Sequence, residues 1–194
     1  MKTIKRKLVV VVFMLGTVLN YANSTKKFSP PVETKKVKVE FKNVKKGHTL
    51  TIKDKQGNIL HSENATKKGN LTKVFDLSSL KDGVYSIELH KDFRILVKPF
   101  KVASHQVIFQ KNLEKVIFKP IIRAKEDLIF ISKKASDKEP VKIIIYYNDN
   151  PIHTEVITNE LHVNRIYKLD PKEKGTYRAV VFSNKKSYAK KFTL

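Results

Sequence analysis

Val74-Phe75-Asp76-Leu77-Ser78-Ser79-Leu80-Lys81-Asp82-Gly83-Val84-Tyr85-Ser86-Ile87-Glu88-Leu89 is the stretch whose reading decides the fold. Its apolar positions are filled by β-branched, aromatic and aliphatic residues, the types that strands favour. From Tyr85 onward the period is two, with Tyr85, Ile87 and Leu89 alternating with Ser86, Glu88 and His90. Alternate side chains of a strand point to opposite faces, so this strand has one buried and one wet side. The polar SSLKDG segment reads as a turn, and Gly83 at its end is free to take a positive φ.

The stretch has an echo 92 residues further on, where Ile166 to Val181 reads IYKLDPKEKGTYRAVV. Leu77 meets Leu169, Gly83 meets Gly175 and Tyr85 meets Tyr177. The same offset aligns Ile52 with Ile144, Asn58 with Asn150, His61 with His153, Glu63 with Glu155, Lys98 with Lys190 and Phe100 with Phe192. Identities in one ungapped frame, at core and turn positions, indicate a duplicated module. In immunoglobulin-like sandwiches a tyrosine so placed ties its hydroxyl back to upstream backbone. Gly83 with Tyr85, and Gly175 with Tyr177, are therefore expected to form structural corners.

Outward from the corner, strand-like runs recur at short intervals: Val37–Phe41, Thr49–Asp54, Ile59–His61, Leu71–Leu77, Val84–His90 and Ile95–Val102. Turn chemistry separates them, and no helical periodicity appears after the first two dozen residues. The runs Gln106–Gln110 and Val116–Ile122 read either as the last strand of the first unit and the first strand of the second or as a hairpin bridging the two. Leu128–Ser132, Val141–Tyr147 and Tyr188–Leu194 continue the pattern. Short strands with regular turns predict an all-β chain of two tandem immunoglobulin-like sandwiches, over 36–102 and 128–194, with 103–127 as connecting strands or linker.

The N-terminus carries Lys2, Lys5, Arg6 and Lys7 before the apolar run Leu8 to Leu19, then Ala22-Asn23-Ser24. This is the layout of a secretory signal peptide over 1–24. The apolar run is shorter than the roughly 20 residues a span needs, so the processed chain is expected to be exported without a membrane span, to the periplasm or the cell surface. Residues 25–35, with Pro30-Pro31, read as an extended lead-in. The 194 residues include no Cys, so packing rather than disulfides must hold the fold.

The chain has 40 basic against 18 acidic residues and a formal charge of +22. That excess suits a polyanionic partner such as an envelope glycan. Only five of the cations are Arg (Arg6, Arg94, Arg123, Arg165 and Arg178). Bidentate phosphate recognition favours Arg, so specific nucleic-acid binding is not expected.

The first unit resembles the C-terminal sorting domain of the bacterial type IX secretion pathway. The resemblance is carried by Leu50-Thr51-Ile52-Lys53-Asp54-Lys55-Gln56-Gly57-Asn58-Ile59-Leu60, by Phe75-Asp76-Leu77-Ser78-Ser79-Leu80 with Gly83-Val84-Tyr85, and by Val97-Lys98-Pro99-Phe100-Lys101-Val102. It implies a small seven-stranded sandwich of the kind that marks cargo for passage across the outer membrane. The aromatic-Pro-Asn-Pro opening of that family is absent and the matching unit lies mid-chain, so the fold carries over and the sorting role does not.

His61-x-Glu63 and His153-x-Glu155 are the repeated acid–base or metal-ligand pairs, since i and i+2 share a strand face. A metal site would need a third ligand in a sheltered cavity. Gly-x-Ser-x-Gly, His-Glu-x-x-His and a phosphate-cradling loop are missing. No cofactor is expected, and the function expected is a non-enzymatic structural or interaction role at the cell envelope. The alternatives are a carbohydrate- or polyanion-binding module, which requires outward aromatics (Tyr146, Tyr147, Phe182 and Tyr188 among the aromatic residues), and a small hydrolase, which requires a pocket joining His61 or His153 to a carboxylate.

Overall fold

The computed structural model describes residues 36–77, 79–104, 106–136 and 138–194. The expected signal peptide and lead-in lie outside the described residues. The described residues fall in one compact unit, Thr34–Leu194. Strand accounts for 67% of the structure, which makes it all-β.

The first sandwich contains β1 (Lys36–Val44), β2 (Thr49–Asp54), β3 (Ile59–Asn64), β4 (Gly69–Asp76), β5 (Gly83–His90) and β6 (Arg94–Ala103). β7 (Gln106–Phe109) and β8 (Lys115–Phe118) follow, joined through a short 3-10 turn, Lys111–Leu113. The second contains β9 (Ile121–Lys125), β10 (Leu128–Lys134), β11 (Val141–Tyr147), β12 (Asn150–Ile157), β13 (His162–Lys168), β14 (Thr176–Ser183) and β15 (Lys186–Thr193). All pairings are antiparallel. β1 pairs with β4, opposite a sheet ordered β3-β2-β5-β6-β7 in which β8 also lies along β6. In the second sandwich β13-β10-β9 faces β12-β11-β14-β15.

Each sandwich has its own core. Leu50, Ile52, Ile87, Leu89 and Phe100 are buried together with Val39, Phe41 and Val44. Ile129, Ile131, Ile143, Ile145, Tyr177 and Val181 form the second cluster. These are the alternate residues of each strand, as a two-residue period demands when one face is buried.

The repeat is real but not ungapped. The pairing of β1 with β4 recurs residue for residue at +92 in β10 and β13, for example Lys38↔Val74 and Phe130↔Ile166. β5 with β6 and β14 with β15 keep the same frame. β11 does not. Ile52 lies opposite Ile87, whose counterpart Ala179 lies opposite Ile145 rather than Ile144. One residue is gained before β11 and lost after it. The loss falls in the hairpin, where a two-residue turn at Asn148 and Asp149 (φ 44° and 64°) replaces the longer loop containing Gly57 at φ 94°. Two-residue hairpins of this twist require positive φ at both positions, which Asn and Asp tolerate.

Two further expectations are corrected. The run Val116–Ile122 is two strands in different sandwiches, β8 along β6 and β9 along β10. Pro120 falls at the break; it has no N–H for a ladder and restricts the residue before it. Gly83 and Gly175 do not take positive φ, unlike Gly47, Gly57 and Gly69. Space is what Gly175 provides, since a Cβ there would stand 2.7 Å from a Tyr147 ring carbon and 3.0 Å from Asn148 Oδ1.

Candidate functional site

The corner tyrosines act alike. Tyr85 Oη donates to the Lys81 carbonyl at 2.8 Å, and Tyr177 Oη donates to the Glu173 carbonyl at 2.8 Å. Each ring stacks on its counterpart phenylalanine, Tyr85 on Phe100 and Tyr177 on Phe192. These groups fasten a turn to a strand.

The repeated His-x-Glu pairs lie on β3 and β12, the edge strands of the larger sheets, and reach across to the smaller ones. Lys73 Nζ on β4 donates to Glu63 Oε2 at 2.8 Å, while His61 meets the edge of Phe75 at 5.7 Å. In the second sandwich Arg165 Nε on β13 donates to Glu155 Oε1 at 2.7 Å and Tyr167 Oη donates to Glu155 Oε2 at 2.6 Å. Arg165 also grips Glu160 at 2.8 Å, and His153 rests 5.0 Å from the Tyr167 ring. Burial works against the Glu155 charge, but the Tyr167 and Arg165 hydrogen bonds and the Arg165 charge hold its carboxyl below the usual range. Both pairs are clasps between sheets. His153 Nε2 stands 4.0 Å from a Glu155 oxygen already engaged by Tyr167, which leaves it poorly placed for proton transfer. Among the described residues no three His, Asp or Glu side chains converge to hold a metal.

A third His–carboxylate pair, not visible in the sequence, lies in a hollow of about 370 Å³ beside Lys91, Arg94 and Phe118. Buried His48 accepts the Lys45 N–H at Nδ1, 3.1 Å away, and its Nε2 lies 3.4 Å from Asp92 Oδ1. Lys91, Arg94, Phe93 and Phe118 help to line the hollow, and the bond from the Lys45 N–H to His48 ties down the turn before β2.

A carboxylate also joins the two sandwiches. Glu88 on β5 points away from its own core yet is only 6% exposed. It accepts from Lys53 Nζ at 2.9 Å, contacts His90 Nε2 at 3.0 Å, and accepts from Lys186 Nζ of the second sandwich at 3.2 Å. Burial pushes its pKa up, and the hydrogen bonds from His90 and Lys53 with the charges of Lys186 and Lys53 outweigh this, holding it far below the carboxylate range.

The most site-like surface is the outer face of β9-β10-β13. Register sets its residues in rows: Ile121, Ser132 and Asn164; then Arg123, Phe130 and Ile166; then Lys125, Leu128 and Lys168. The first two rows, with Lys125 of the third, shape a groove of about 760 Å³. Ile166 is 66% exposed and Ile121 39%. Phe130 forms the floor, Ser132 Oγ donates to Asn164 Oδ1 at 2.8 Å, and Arg123 and Lys125 stand at the rim. Sequence reading missed this face because β9 was not resolved from β8 and Phe130 reads as one more strand aromatic. Of the aromatics it did single out, Tyr147 packs on the core, Tyr188 Oη is buried, and Tyr146 lies under the Arg178 guanidinium at 4.0 Å. Phe182 is 39% exposed but stands apart from the groove.

By its strands, layers and corners the chain is a tandem immunoglobulin-like β-sandwich protein. Residues 17–102, which include β1 to β5 and nearly all of β6, match the family model described as "Domain of unknown function (DUF3244)". No curated protein matches the chain. Among solved structures it is similar to "Biofilm associated protein - BSP domain", at 12% identity and a TM-score of 0.27 over 81% of this chain and 27% of that one. It is also similar to "Human OSCAR ligand-binding domain", at 6% identity and a TM-score of 0.24 over 82% and 89% of the two chains. The chain thus spans about a quarter of the length of the biofilm-associated structure. Likenesses at these scores carry no argument about ligand or role.

Proposed function

We propose that this is an exported, non-enzymatic protein of the bacterial cell envelope that holds an anionic polymer, such as an acidic glycan, in the groove on β9-β10-β13. The observation that carries the reading is an apolar floor, Phe130 with Ile121 and Ile166, inside a rim of Arg123 and Lys125. Sugar rings present apolar C–H faces to an aromatic floor, and the rim meets carboxylates or sulfates. Export is supported by the basic and apolar residues at the N-terminus. A non-enzymatic role is supported by the His–carboxylate pairs, which are committed to holding sheets and turns.

The test is retention of the full chain on polygalacturonate and on neutral dextran, at low and at physiological ionic strength. The expected result is retention by the acidic polymer that survives physiological salt and falls about tenfold in Phe130→Ala, the loss of a contact worth about 1.4 kcal/mol. Retention abolished by salt and indifferent to Phe130→Ala would reduce the reading to surface charge.

A further inference from the structure

In the first sandwich the outer edge of β6 is covered by the chain's own next segment. β7 pairs along Phe100–Ala103 and β8 along Arg94–Val97. Two side chains anchor that cover. Phe109 packs against Phe100 at 5.8 Å, leaving Phe100 0% exposed. Glu114 accepts from Lys98 Nζ at 3.1 Å.

β15 is the counterpart of β6, and among the described residues β14 is its one hydrogen-bonded neighbour. β9 comes near it, but bonds to β10. The two anchor positions recur at +92 as Lys190 and Phe192. Lys190 is exposed and, among the described residues, meets no carboxylate; Phe192 is half-buried. The acceptor half of the arrangement is thus repeated, and among the described residues its cover is not.

We infer that β15 accepts an extended segment of another polypeptide as an added antiparallel strand, through an aromatic residue against Phe192 and an acidic residue on Lys190. Main-chain bonds to a free edge supply the affinity in such strand addition, and the side-chain anchors supply the selection. The cover that β6 already wears shows the chemistry required: β7 reads Gln-Val-Ile-Phe and β8 reads Lys-Val-Ile-Phe, with Glu114 just ahead of β8. A second copy's β15 does not fit, because pairing two such strands would bring Lys186, Lys190 and Lys191 of each toward those of the other, and like charges across a ladder repel. This site is separate from the groove and stands or falls independently of it.

The test uses the full chain and a synthetic peptide copying residues 106–118, followed by amide hydrogen exchange. The peptide is expected to slow exchange within Ala189–Thr193 about tenfold or more, as newly paired edge amides become protected. Lys190→Glu is expected to weaken binding about fivefold, a surface ion pair lost and reversed. A peptide carrying Glu114→Lys should restore binding to that variant, a rescue that a folding defect would not give. No slowing at millimolar peptide overturns the inference. So does equal slowing by a scrambled peptide, slowing at β6 in place of β15, or protection of β15 that grows with protein concentration alone.

Discussion

The two sandwiches share their fasteners and differ in their faces. Tyr85 and Tyr177 make the same bond to the carbonyl four residues upstream. Glu63 with Lys73 and Glu155 with Arg165 close the same flank. The outer face of the smaller sheet is another matter. Where the second copy has Leu128, Phe130 and Ser132, the first has Lys36, Lys38 and Glu40, an ordinary solvated strand face. A duplicated module keeps the groups without which either copy would open, while positions free to diverge acquire work. The repeated corners and clasps are therefore read as structure, and the unrepeated outer face of β9-β10-β13 as function.

Predictions that probe this comparison run from large effects to small. Glu88 has Val180 as its counterpart, each facing away from its core and each buried. Glu88→Ala strands Lys53 and Lys186 without their carboxylate and is expected to cost about 3 kcal/mol, the usual scale for breaking a buried pair. Urea unfolding measures this, and Val180→Ala should cost clearly less. Because the Glu88 pKa is depressed on folding, its contribution is fully present above the ordinary glutamate value of about 4.3 and fades only as pH falls toward the lower folded value. Glu88→Gln should flatten the stability profile in that acid range.

The corner glycines come next. Gly175→Ala drives a Cβ into Tyr147 and Asn148, and overpacking of this kind costs about 1–3 kcal/mol. Gly83→Ala meets only ordinary 3.4 Å contacts with Tyr85 and should stay within about 0.5 kcal/mol of the parent. Equal effects in thermal melts would show that the two corners are packed alike.

The clasps give a modest effect on stability and the sharpest sign. Glu155 has both oxygens engaged, whereas Glu63 Oε1 is buried without a donor. Phe75 stands where the second copy has Tyr167. Phe75→Tyr should supply the missing donor and add about 1 kcal/mol, and Tyr167→Phe should remove about as much. Denaturant midpoints of the two variants are expected to move in opposite directions.

The corners, most strands and the duplication were legible in the sequence because period-two alternation and Gly-x-Tyr are local signals. Thr49–Asp54 and Val141–Tyr147 even have their boundaries right. The one-residue slip at β11 was hidden because Ile143, Ile144 and Ile145 are alike, so Ile52 aligned plausibly with the wrong one. The clasps were visible as repeated His-x-Glu, but their cross-sheet partners Lys73 and Arg165 lie ten residues further along the chain, where no local rule finds them. The groove needed β9 beside β10, a pairing set by the break at Pro120. Glu88 looked like the wet side of a strand, because burial by a second sandwich leaves no mark on the period.

The claim that function lies on the face unique to the second copy is tested most directly by giving that face the first copy's residue. Phe130→Lys raises the positive charge of the protein, so charge alone would strengthen retention on polygalacturonate. The account predicts that retention at physiological ionic strength falls about tenfold, with the melting temperature unchanged because Phe130 faces away from the core. Retention that holds or rises in this variant would contradict it.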